Sequence, residues 1–360
     1  MQDSKDLVAA RVESGQIVLR RAGGVPPTAS GRAAFGSGPG MPAVAAAELA
    51  LAAASLAENA KAPNTRRAYE SDWASWEAFC QAHDFVPLPA GPEQVVLYLT
   101  HLTTEFGIKG KRLRPRTAER HLAAIATTHC ALGLAFDRNV PALKKTLDGI
   151  RRKFTISQKG ALALRTEDII AICGTLGRDI RSQRNKAIIL LGFAGGFRRS
   201  EIVGLNAEDL KFENGTLRVT LRKSKTDQVG KGRTIVIMPG RNPATCPVAA
   251  VRAWLTAADL EHEGDDPAFR PVNRHSGVEL NRLSDRAVDL IVKEACRAAC
   301  LKEKYSAHSL RAGHVTEALA RGSGRASVKR QTGHASDTML DRYDREADPA
   351  ADNSSAALGL

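Results

Sequence analysis

Large apolar side chains recur at helical spacing in four successive segments between residues 64 and 154. In the first segment the intervals are four, three and four residues, from Tyr69 through Trp73 and Trp76 to Cys80. Residues at these intervals lie on one face of an α-helix, and no strand-like alternation interrupts the region. We therefore predict an all-helical domain whose aromatic rings pack in a core instead of stacking on nucleic-acid bases. The other three stripes are Val95, Leu99, Leu102 and Phe106; Leu122, Ile125, His129 and Leu132; and Leu143, Leu147, Ile150 and Phe154.

After residue 162 helical patterns alternate with two strand-like segments. Thr166, followed by two acidic residues, is typical of a helix N-terminus, and "AIILLGFAGGF" predicts a buried helix. The segments "TLRVTLRKS" and "RTIVIM" flank "KTDQVGKG", which indicates a β-hairpin with Lys225 at its mouth. Pro247 and Ser284 begin two further helices. The chain as a whole is predicted to be mainly α with a small antiparallel β-sheet.

Composition and punctuation divide the chain into four parts. Residues 1–60 are rich in Gly, Pro and Ala, which predicts a disordered or Ala-rich N-terminal extension. Residues 61–157 form the predicted helical domain and residues 162–349 the predicted mixed α+β domain. Residues 350–360 form a C-terminal tail.

The charge balance points to a polyanionic partner. Lys and Arg total 52 against 39 Asp and Glu, and the formal net charge is +13. Nucleic acid is the commonest partner of so basic a chain, although a protein that merely carries extra Lys and Arg remains an alternative. Clusters of basic residues at helix ends can follow a phosphate backbone, whereas a solvated face is the alternative for any single residue. The candidate DNA-binding residues are Lys109, Lys111, Arg112, Arg114, Arg116, Arg120, Arg151, Arg152 and Lys153.

Other classes of protein are disfavoured. The six Cys are scattered without a CxxC pair or a matched His spacing, so we predict neither a zinc site nor a disulfide framework. No apolar run approaches the roughly 20 residues that a membrane span needs, and the N-terminus lacks a signal pattern. We expect a cytoplasmic protein with no membrane association.

One pair of residues suggests a site for a phosphate, and a second pair has the spacing of an Arg oriented by a carboxylate. His308 and Arg311 are three residues apart, as are Arg198 and Glu201, so each pair projects from one face of a helix. A His and an Arg side by side suit a phosphate oxyanion, and a nearby phenol such as Tyr343 is a candidate nucleophile. Any one of these residues alone is more often structural, so the hypothesis depends on their joint occurrence.

Together these motifs resemble the signature of the tyrosine recombinase (phage integrase) family. Arg198 lies in "GGFRRSE", Lys225 in "SKTD", and His308 and Arg311 in "HSLR". His334 lies in "TGH", with Tyr343 nine residues later, and the order and spacing match the family. The resemblance extends from about residue 63 to Tyr343. It implies an N-terminal core-binding domain and a catalytic domain that close on DNA as a clamp.

The resemblance also implies a reaction. Tyr343 would attack the scissile phosphodiester, which leaves a covalent 3′-phosphotyrosyl link and a free 5′-hydroxyl. Arg198 and Arg311 would bind the non-bridging oxygens, and Lys225 would give a proton to the departing 5′-oxygen.

The remaining signature residues would support these steps. His308 and His334 would hydrogen-bond the same phosphate, with His308 helping to deprotonate the phenol, and Glu201 would orient the His or Arg side chains. Because Arg side chains supply the positive charge, the resemblance implies no metal, ATP or other cofactor.

The implied partners are double-stranded DNA and further copies of the chain. Recombination of two sites takes four cleavages, so the resemblance implies a tetramer on DNA, and accessory DNA-bending proteins are further candidate partners. The implied role is DNA integration or recombination of a mobile element by a nucleoid-associated enzyme. Two alternatives stay open, namely a type IB topoisomerase and a DNA-binding protein without catalytic activity.

Overall fold

The computed structural model describes residues 8–13, 16–21, 62–104, 112–154, 161–222, 232–260, 264–302, 304–334 and 336–341. Its contacts divide the chain into two compact units, Met1–Ser157 and Gln158–Leu360, which we call the N-terminal and the C-terminal unit. Each unit has a hydrophobic core of its own. None of the helices that the structure describes is both long enough and apolar enough to cross a membrane.

Two strands lie within the segment predicted to be disordered or Ala-rich. Strands β1 (Val8–Glu13) and β2 (Gln16–Arg21) pair antiparallel, with Glu13 opposite Gln16. The structure thus differs from the expectation of disorder at these residues. The missed signal is the Ser-Gly dipeptide between two short segments that contain Val, Ile and Leu, since a two-residue connection with Gly is typical of a β-hairpin.

The described part of the N-terminal unit contains four helices whose apolar stripes form its core, as predicted. Each helix has proline at its first position, where the missing N–H group costs no intrahelical hydrogen bond. Trp76 is fully buried and its ring meets that of Tyr98 edge-on at 5.1 Å between centroids. Of the stripe residues, Leu132 is exposed because it follows the end of its helix, and Phe106 lies outside the described residues. The helices are α1 (Pro63–Ala82), α2 (Pro92–Thr103), α3 (Pro115–Ala131) and α4 (Pro141–Phe154).

A polar network around the buried carboxylate of Asp72, which we call the Asp72 network, connects α1, α2 and α3. Arg120 donates from Nε and Nη2 to the two carboxylate oxygens of Asp72, at 2.7 and 2.9 Å. His121 Nε2 lies 3.2 Å from Asp72 Oδ1, and its Nδ1 lies 2.9 Å from the hydroxyl of Tyr98. Burial lowers the pKa of His121, with Asp72 opposing the shift and Arg120 adding to it. A neutral His121 can therefore donate to Asp72 and accept from Tyr98.

The C-terminal unit is built around one helix, α6, which packs against α8 and α10. Residues Ala187 to Leu191 of α6 are buried on every side, which explains the uninterrupted apolar run in the sequence. The predicted helices at Thr166, Pro247 and Ser284 are present, with Ser284 Oγ accepting from the amide of Ala287. The helices are α5 (Thr166–Thr175), α6 (Ile180–Gly195), α7 (Arg199–Gly204), α8 (Pro247–Ala257), α9 (Asp285–Ala298), α10 (Ala307–Ala320) and α11 (Arg325–Thr332).

The predicted small antiparallel sheet has three strands, β3 (Leu210–Glu213), β4 (Thr216–Leu221) and β5 (Arg233–Ile237). They lie in the order β3-β4-β5, and Leu221 of β4 pairs with Arg233 of β5. The sequence prediction found β4 and β5 but missed β3. The signal was present as Asn214-Gly215, whose positive φ angles of 50° and 76° suit the tight turn between β3 and β4.

Candidate active site

The turn after α6 brings Arg198 to the start of α7. Helix α6 ends at Gly195, and Gly196 has a left-handed φ of 60°. A Cβ atom on Gly196 would lie 2.8 Å from Thr332 Cγ2, and one on Gly195 would lie 2.2 Å from the ring of Phe197. Only glycine fits at these two positions. The buried Phe197, where the family more usually has Leu, therefore fits against a backbone that has no side chain.

Arg311 is fixed at the same end of α6. Its Nη1 donates to the carbonyl of Gly196 at 2.7 Å, and His314 Nδ1 donates to the carbonyl of Phe193 at 2.9 Å. The last carbonyls of a helix lack intrahelical partners and carry the negative end of its dipole, so a buried cation is stabilised there. These bonds position Arg311 of α10 beside the turn that carries Arg198.

Helix α10 approaches the preceding chain closely at Gly313. A Cβ atom there would lie 2.0 Å from the carbonyl oxygen of Leu164, whose amide donates to the carbonyl of Ser309 at 3.1 Å. At its N-terminus, the amide of Ala307 donates to Asp289 Oδ1 of α9 at 2.9 Å. The helix is therefore held along its length before any ligand is considered.

Glu201 organises the start of α7. Its Oε2 accepts from the amide of Arg198 at 2.9 Å, and its Oε1 accepts from Arg198 Nη1 at 2.6 Å. The same Oε2 lies 3.4 Å from Nη2 of Arg233, the first residue of β5. Sequence reasoning did not single out Arg233, because nothing in "RTIVIM" distinguishes it from an ordinary surface residue at a strand end.

His334 lies at the end of α11, next to this group of charges. Thr332 donates its only hydroxyl proton to the carbonyl of Val328 at 2.6 Å, so its oxygen accepts from His334 Nδ1 at 2.7 Å. Burial, followed by the charges of Arg311 and Arg198, lowers the pKa of His334 to about 3. At neutral pH His334 is therefore uncharged, with its proton on Nδ1.

His308 occupies the first turn of α10 and is more exposed than the other members of the group. Desolvation, followed by the charges of Arg311 and Arg198, lowers its pKa. His308 is therefore neutral at pH 7, although it stands near two guanidinium groups. The structure thus brings together Arg198, Glu201, Arg233, His308, Arg311 and His334.

The comparisons with known proteins agree with this arrangement. Residues 163–349, about half of the chain, match the sequence model of the phage integrase family. An integrase/recombinase XerD homolog of Selenomonas ruminantium is 34% identical over 311 residues, which cover 85% of this chain and 88% of that protein. The chain belongs to the phage integrase family. A tyrosine recombinase of Synechococcus elongatus is 27% identical over 80% of this chain and 87% of its own length.

Solved structures of the family show the same fold. A crystal structure of the XerH site-specific recombinase bound to a palindromic difH substrate matches 78% of this chain and 75% of its own, with a TM-score of 0.56 and 18% identity. A lambda integrase dimer bound to a COC′ core site matches 84% of this chain and 96% of its own, with a TM-score of 0.54 and 16% identity. The predicted family and fold class are confirmed.

Two residues of the integrase signature, Lys225 and Tyr343, lie outside the described residues. The described chain reaches Arg222 before Lys225 and Asp341 before Tyr343. Leu340 is fully buried in a small cluster with Val315 of α10 and Val328 of α11. The segment that leads to Tyr343 is therefore anchored on the two helices that carry Arg311 and His334.

The candidate DNA-binding residues differ in their surroundings. Arg120 is committed to Asp72, and Arg151 donates to Glu119 at 2.7 Å and to Asp148 at 2.9 Å. Arg112 and Lys153 lie on the ring of Phe154, at 5.9 and 5.5 Å from its centroid. Lys109 and Lys111 lie outside the described residues. The exposed members that the structure describes are Arg112, Arg114, Arg116, Arg120, Arg151, Arg152 and Lys153.

Proposed function

We propose that this protein is a site-specific recombinase that cleaves and rejoins double-stranded DNA through a covalent 3′-phosphotyrosyl intermediate on Tyr343. The observation that supports it best is the convergence of Arg198, His308, Arg311 and His334 from three separate segments on one cationic site. Formal positive charge exceeds negative charge in this group, and a scissile phosphodiester supplies the missing negative charge. The named recombinases among the relatives favour recombination over a topoisomerase or a non-catalytic role.

The histidines have distinct tasks in this proposal. A neutral His308 can accept the proton of the Tyr343 phenol, so that the phenolate attacks phosphorus. His334 begins neutral and protonated on Nδ1. A bound phosphate brings negative charge next to Arg311 and Arg198, which raises the pKa of His334 and allows its Nε2 to donate to the phosphate.

The leaving group is handled by Lys225. As Tyr343 forms its bond to phosphorus, the 5′-oxygen departs with the bonding electrons and takes a proton from the Lys225 ammonium group. Arg198 and Arg311 stabilise the charge on the non-bridging oxygens throughout. These side chains supply the charge stabilisation and the proton transfers, so the proposed mechanism requires no metal, ATP or other cofactor.

We further propose that both units contact the duplex and close on it as a clamp, and that four protomers act together on two sites. The tail beyond Tyr343 would dock on a neighbouring protomer, and accessory DNA-bending proteins would shape the complex. Such a role in moving a genetic element places the protein at the nucleoid in the cytoplasm.

The decisive experiment removes the hydroxyl of Tyr343. A duplex is first selected from random-sequence DNA by binding to the Tyr343→Phe chain, and is then offered to both proteins. The parent chain should form a covalent adduct that survives denaturing electrophoresis, whereas Tyr343→Phe should bind equally well without adduct. Tyr305→Phe, which alters another tyrosine of the C-terminal unit, is the matched control and should still form adduct. Adduct formation by Tyr343→Phe would show that another residue is the nucleophile.

A further inference from the structure

Arg233 fills the space between Glu201 and the turn that precedes His334. Its Nη2 contacts Glu201 Oε2 at 3.4 Å. A Cβ atom on Gly333 would lie 2.1 Å from Arg233 Nη1 and 2.8 Å from its Cζ, so the guanidinium lies directly against the Gly333 backbone. Gly333 has a left-handed φ of 66° and ends α11. One side chain therefore contacts both the partner of Arg198 and the residue next to His334.

The burial of Arg233 is costly. Its Nε and Nη1 atoms are buried without a hydrogen-bond partner among the described residues. A buried donor without an acceptor destabilises the folded state, and more so when the group is charged. Burial lowers the pKa of Arg233, with Glu201 opposing the shift and Arg198 adding to it. A guanidinium nevertheless stays protonated in proteins, so Arg233 carries a full charge within the site.

The charge of Arg233 affects the net positive charge that Arg198 and Glu201 together present to a phosphate. Glu201 is almost completely buried and makes a short, charge-assisted pair with Arg198. As formal charges the two cancel, so without Arg233 only Arg311 among the described residues would bring a net positive charge to the phosphate. With Arg233 on the same carboxylate, the charge of Arg198 is no longer cancelled.

We propose that Arg233 is a positioning residue that balances the charge of Glu201, so that Glu201 can orient Arg198 without neutralising its charge towards the scissile phosphate. This inference rests on the proposed function, because it assigns Arg233 a part in the same cleavage step. The charge developed by the phosphate in the transition state is where the balance matters most. Binding of uncleaved DNA, which depends on many phosphate contacts, should depend on it far less.

The test is a double-variant cycle with Arg233→Gln and Glu201→Gln. Arg233→Gln should lower the rate of adduct formation on the selected duplex about 10²-fold, as loss of one oxyanion-stabilising group does, with DNA affinity within about threefold. The Arg233→Gln, Glu201→Gln double variant restores the net charge, so it should react at least about tenfold faster than Arg233→Gln alone. Arg233→Lys keeps the charge and should retain more activity than Arg233→Gln.

The controls separate a charge role from a structural one. Arg218 pairs with Glu213 on the same sheet, at an exposed site, so Arg218→Gln and Arg218→Gln, Glu213→Gln should both cleave at the parent rate. The thermal midpoint of each variant shows whether it is folded. If Arg233→Gln does not fold, the single variant Glu201→Gln is compared with the double variant Arg233→Gln, Glu201→Gln. Their rates of adduct formation should differ by less than about threefold.

Three results would overturn the inference. The first is a double variant that is as slow as Arg233→Gln. The second is an Arg233→Gln variant whose midpoint falls while its cleavage rate per folded protein stays unchanged, which would make Arg233 purely structural. The third is an Arg233→Lys variant no faster than Arg233→Gln. None of these touches the proposed function, which instead fails if Tyr343→Phe still forms adduct.

Discussion

The two units each bury a carboxylate among cationic or titratable side chains, but with opposite balance. In the N-terminal unit the carboxylate of Asp72 receives two hydrogen bonds from Arg120 and faces a neutral His121. One negative charge meets one positive charge, and Tyr98 completes the hydrogen bonding of the His121 ring. The Asp72 network is therefore satisfied by the protein itself.

In the C-terminal unit the carboxylate of Glu201 is shared by Arg198 and Arg233, and Arg311 lies close by. Burial, followed by the charges of Arg311 and Arg198, lowers the pKa of His334 to about 3. Two nitrogen atoms of Arg233 are buried without an acceptor among the described residues. This group therefore carries net positive charge, unlike the Asp72 network.

The difference in charge balance between the two clusters suggests that one stabilises the fold and the other forms a binding site. A buried charge cluster whose members satisfy one another serves the fold, and its removal should cost folding free energy. A cluster that keeps uncompensated charge is a site prepared for a ligand of opposite sign, and its removal should cost rate.

The largest effect is expected at Arg311. Arg311→Gln keeps an amide that can donate to the Gly196 carbonyl but removes the charge, so adduct formation should fall about 10³-fold. Arg184 is the matched control, because it is also buried and donates to the carbonyl of Arg270 at 3.3 Å. Arg184→Gln should lower the thermal midpoint without changing the rate per folded protein. A rate for Arg311→Gln within tenfold of the parent would contradict the assignment.

The second effect is expected at Asp72. Asp72→Asn leaves Arg120 and His121 without their carboxylate. Because Asp72 and His121 are buried while Arg120 is half exposed, we expect a loss of about 2 kcal/mol of unfolding free energy. Urea unfolding monitored by tryptophan fluorescence measures this cost. Asp148→Asn removes an exposed partner of Arg151 and should cost less than about 1 kcal/mol. Equal losses in the two variants would show that the Asp72 network does not stabilise the unit.

The sequence predicts helices α1 to α4 well because each of them buries one apolar stripe. It also predicts Arg198, His308, Arg311 and His334, whose motifs are local and whose order matches the family. Their assignment as catalytic residues stays a prediction, as do Lys225 and Tyr343. Strand β3 was missed, although the dipeptide Asn214-Gly215 is typical of the tight turn that follows it.

Contacts between distant residues could not be predicted in the same way. Arg233 meets Glu201 only because the pairing of β4 with β5 places it there, and no local pattern reports that register. Arg120 likewise reads as one more cation in a basic segment, and its partner Asp72 lies on another helix. In both cases the role of the arginine, in stabilising the fold or in forming a binding site, depends on a residue that is distant in the sequence.

The third prediction concerns pH. His334 and His314 have pKa values lowered to about 3 and about 4, mainly by burial, whereas an unfolded His titrates near 6.5. Below pH 6.5 these histidines therefore bind protons in the unfolded chain but not in the folded chain. The free energy of unfolding consequently falls as the pH falls. The slope is roughly 1.4 kcal/mol per pH unit for each His until its folded pKa is reached.

Urea unfolding between pH 7 and pH 5 measures this loss. The His314→Gln, His334→Gln double variant should lose clearly less stability over that range than the parent chain, whereas His275→Gln, at an exposed position, should behave as the parent does. An unchanged pH dependence in the double variant would mean that the lowered pKa values of these two histidines do not cause the loss of stability.

The smallest effect is expected among the basic residues of the N-terminal unit, where the same contrast recurs on a surface. Arg151 is exposed but paired with Glu119 and Asp148, whereas Arg114 and Arg116 are exposed near the start of α3. A cation that neutralises a DNA phosphate releases a counterion, so each contact contributes about 0.9 to the slope of log affinity against log salt.

Replacing Arg114 and Arg116 together by Gln should therefore reduce that slope by up to about 2, measured by fluorescence anisotropy on a 30-base-pair duplex of random sequence. Arg151→Gln removes a cation whose charge is already matched within the protein, so its slope should stay within about 0.5 of the parent value. An equal loss of salt slope per arginine in the two variants would contradict this prediction. It would mean that an arginine paired with a carboxylate still contacts DNA, so that the contrast between the two charge clusters does not apply to surface residues.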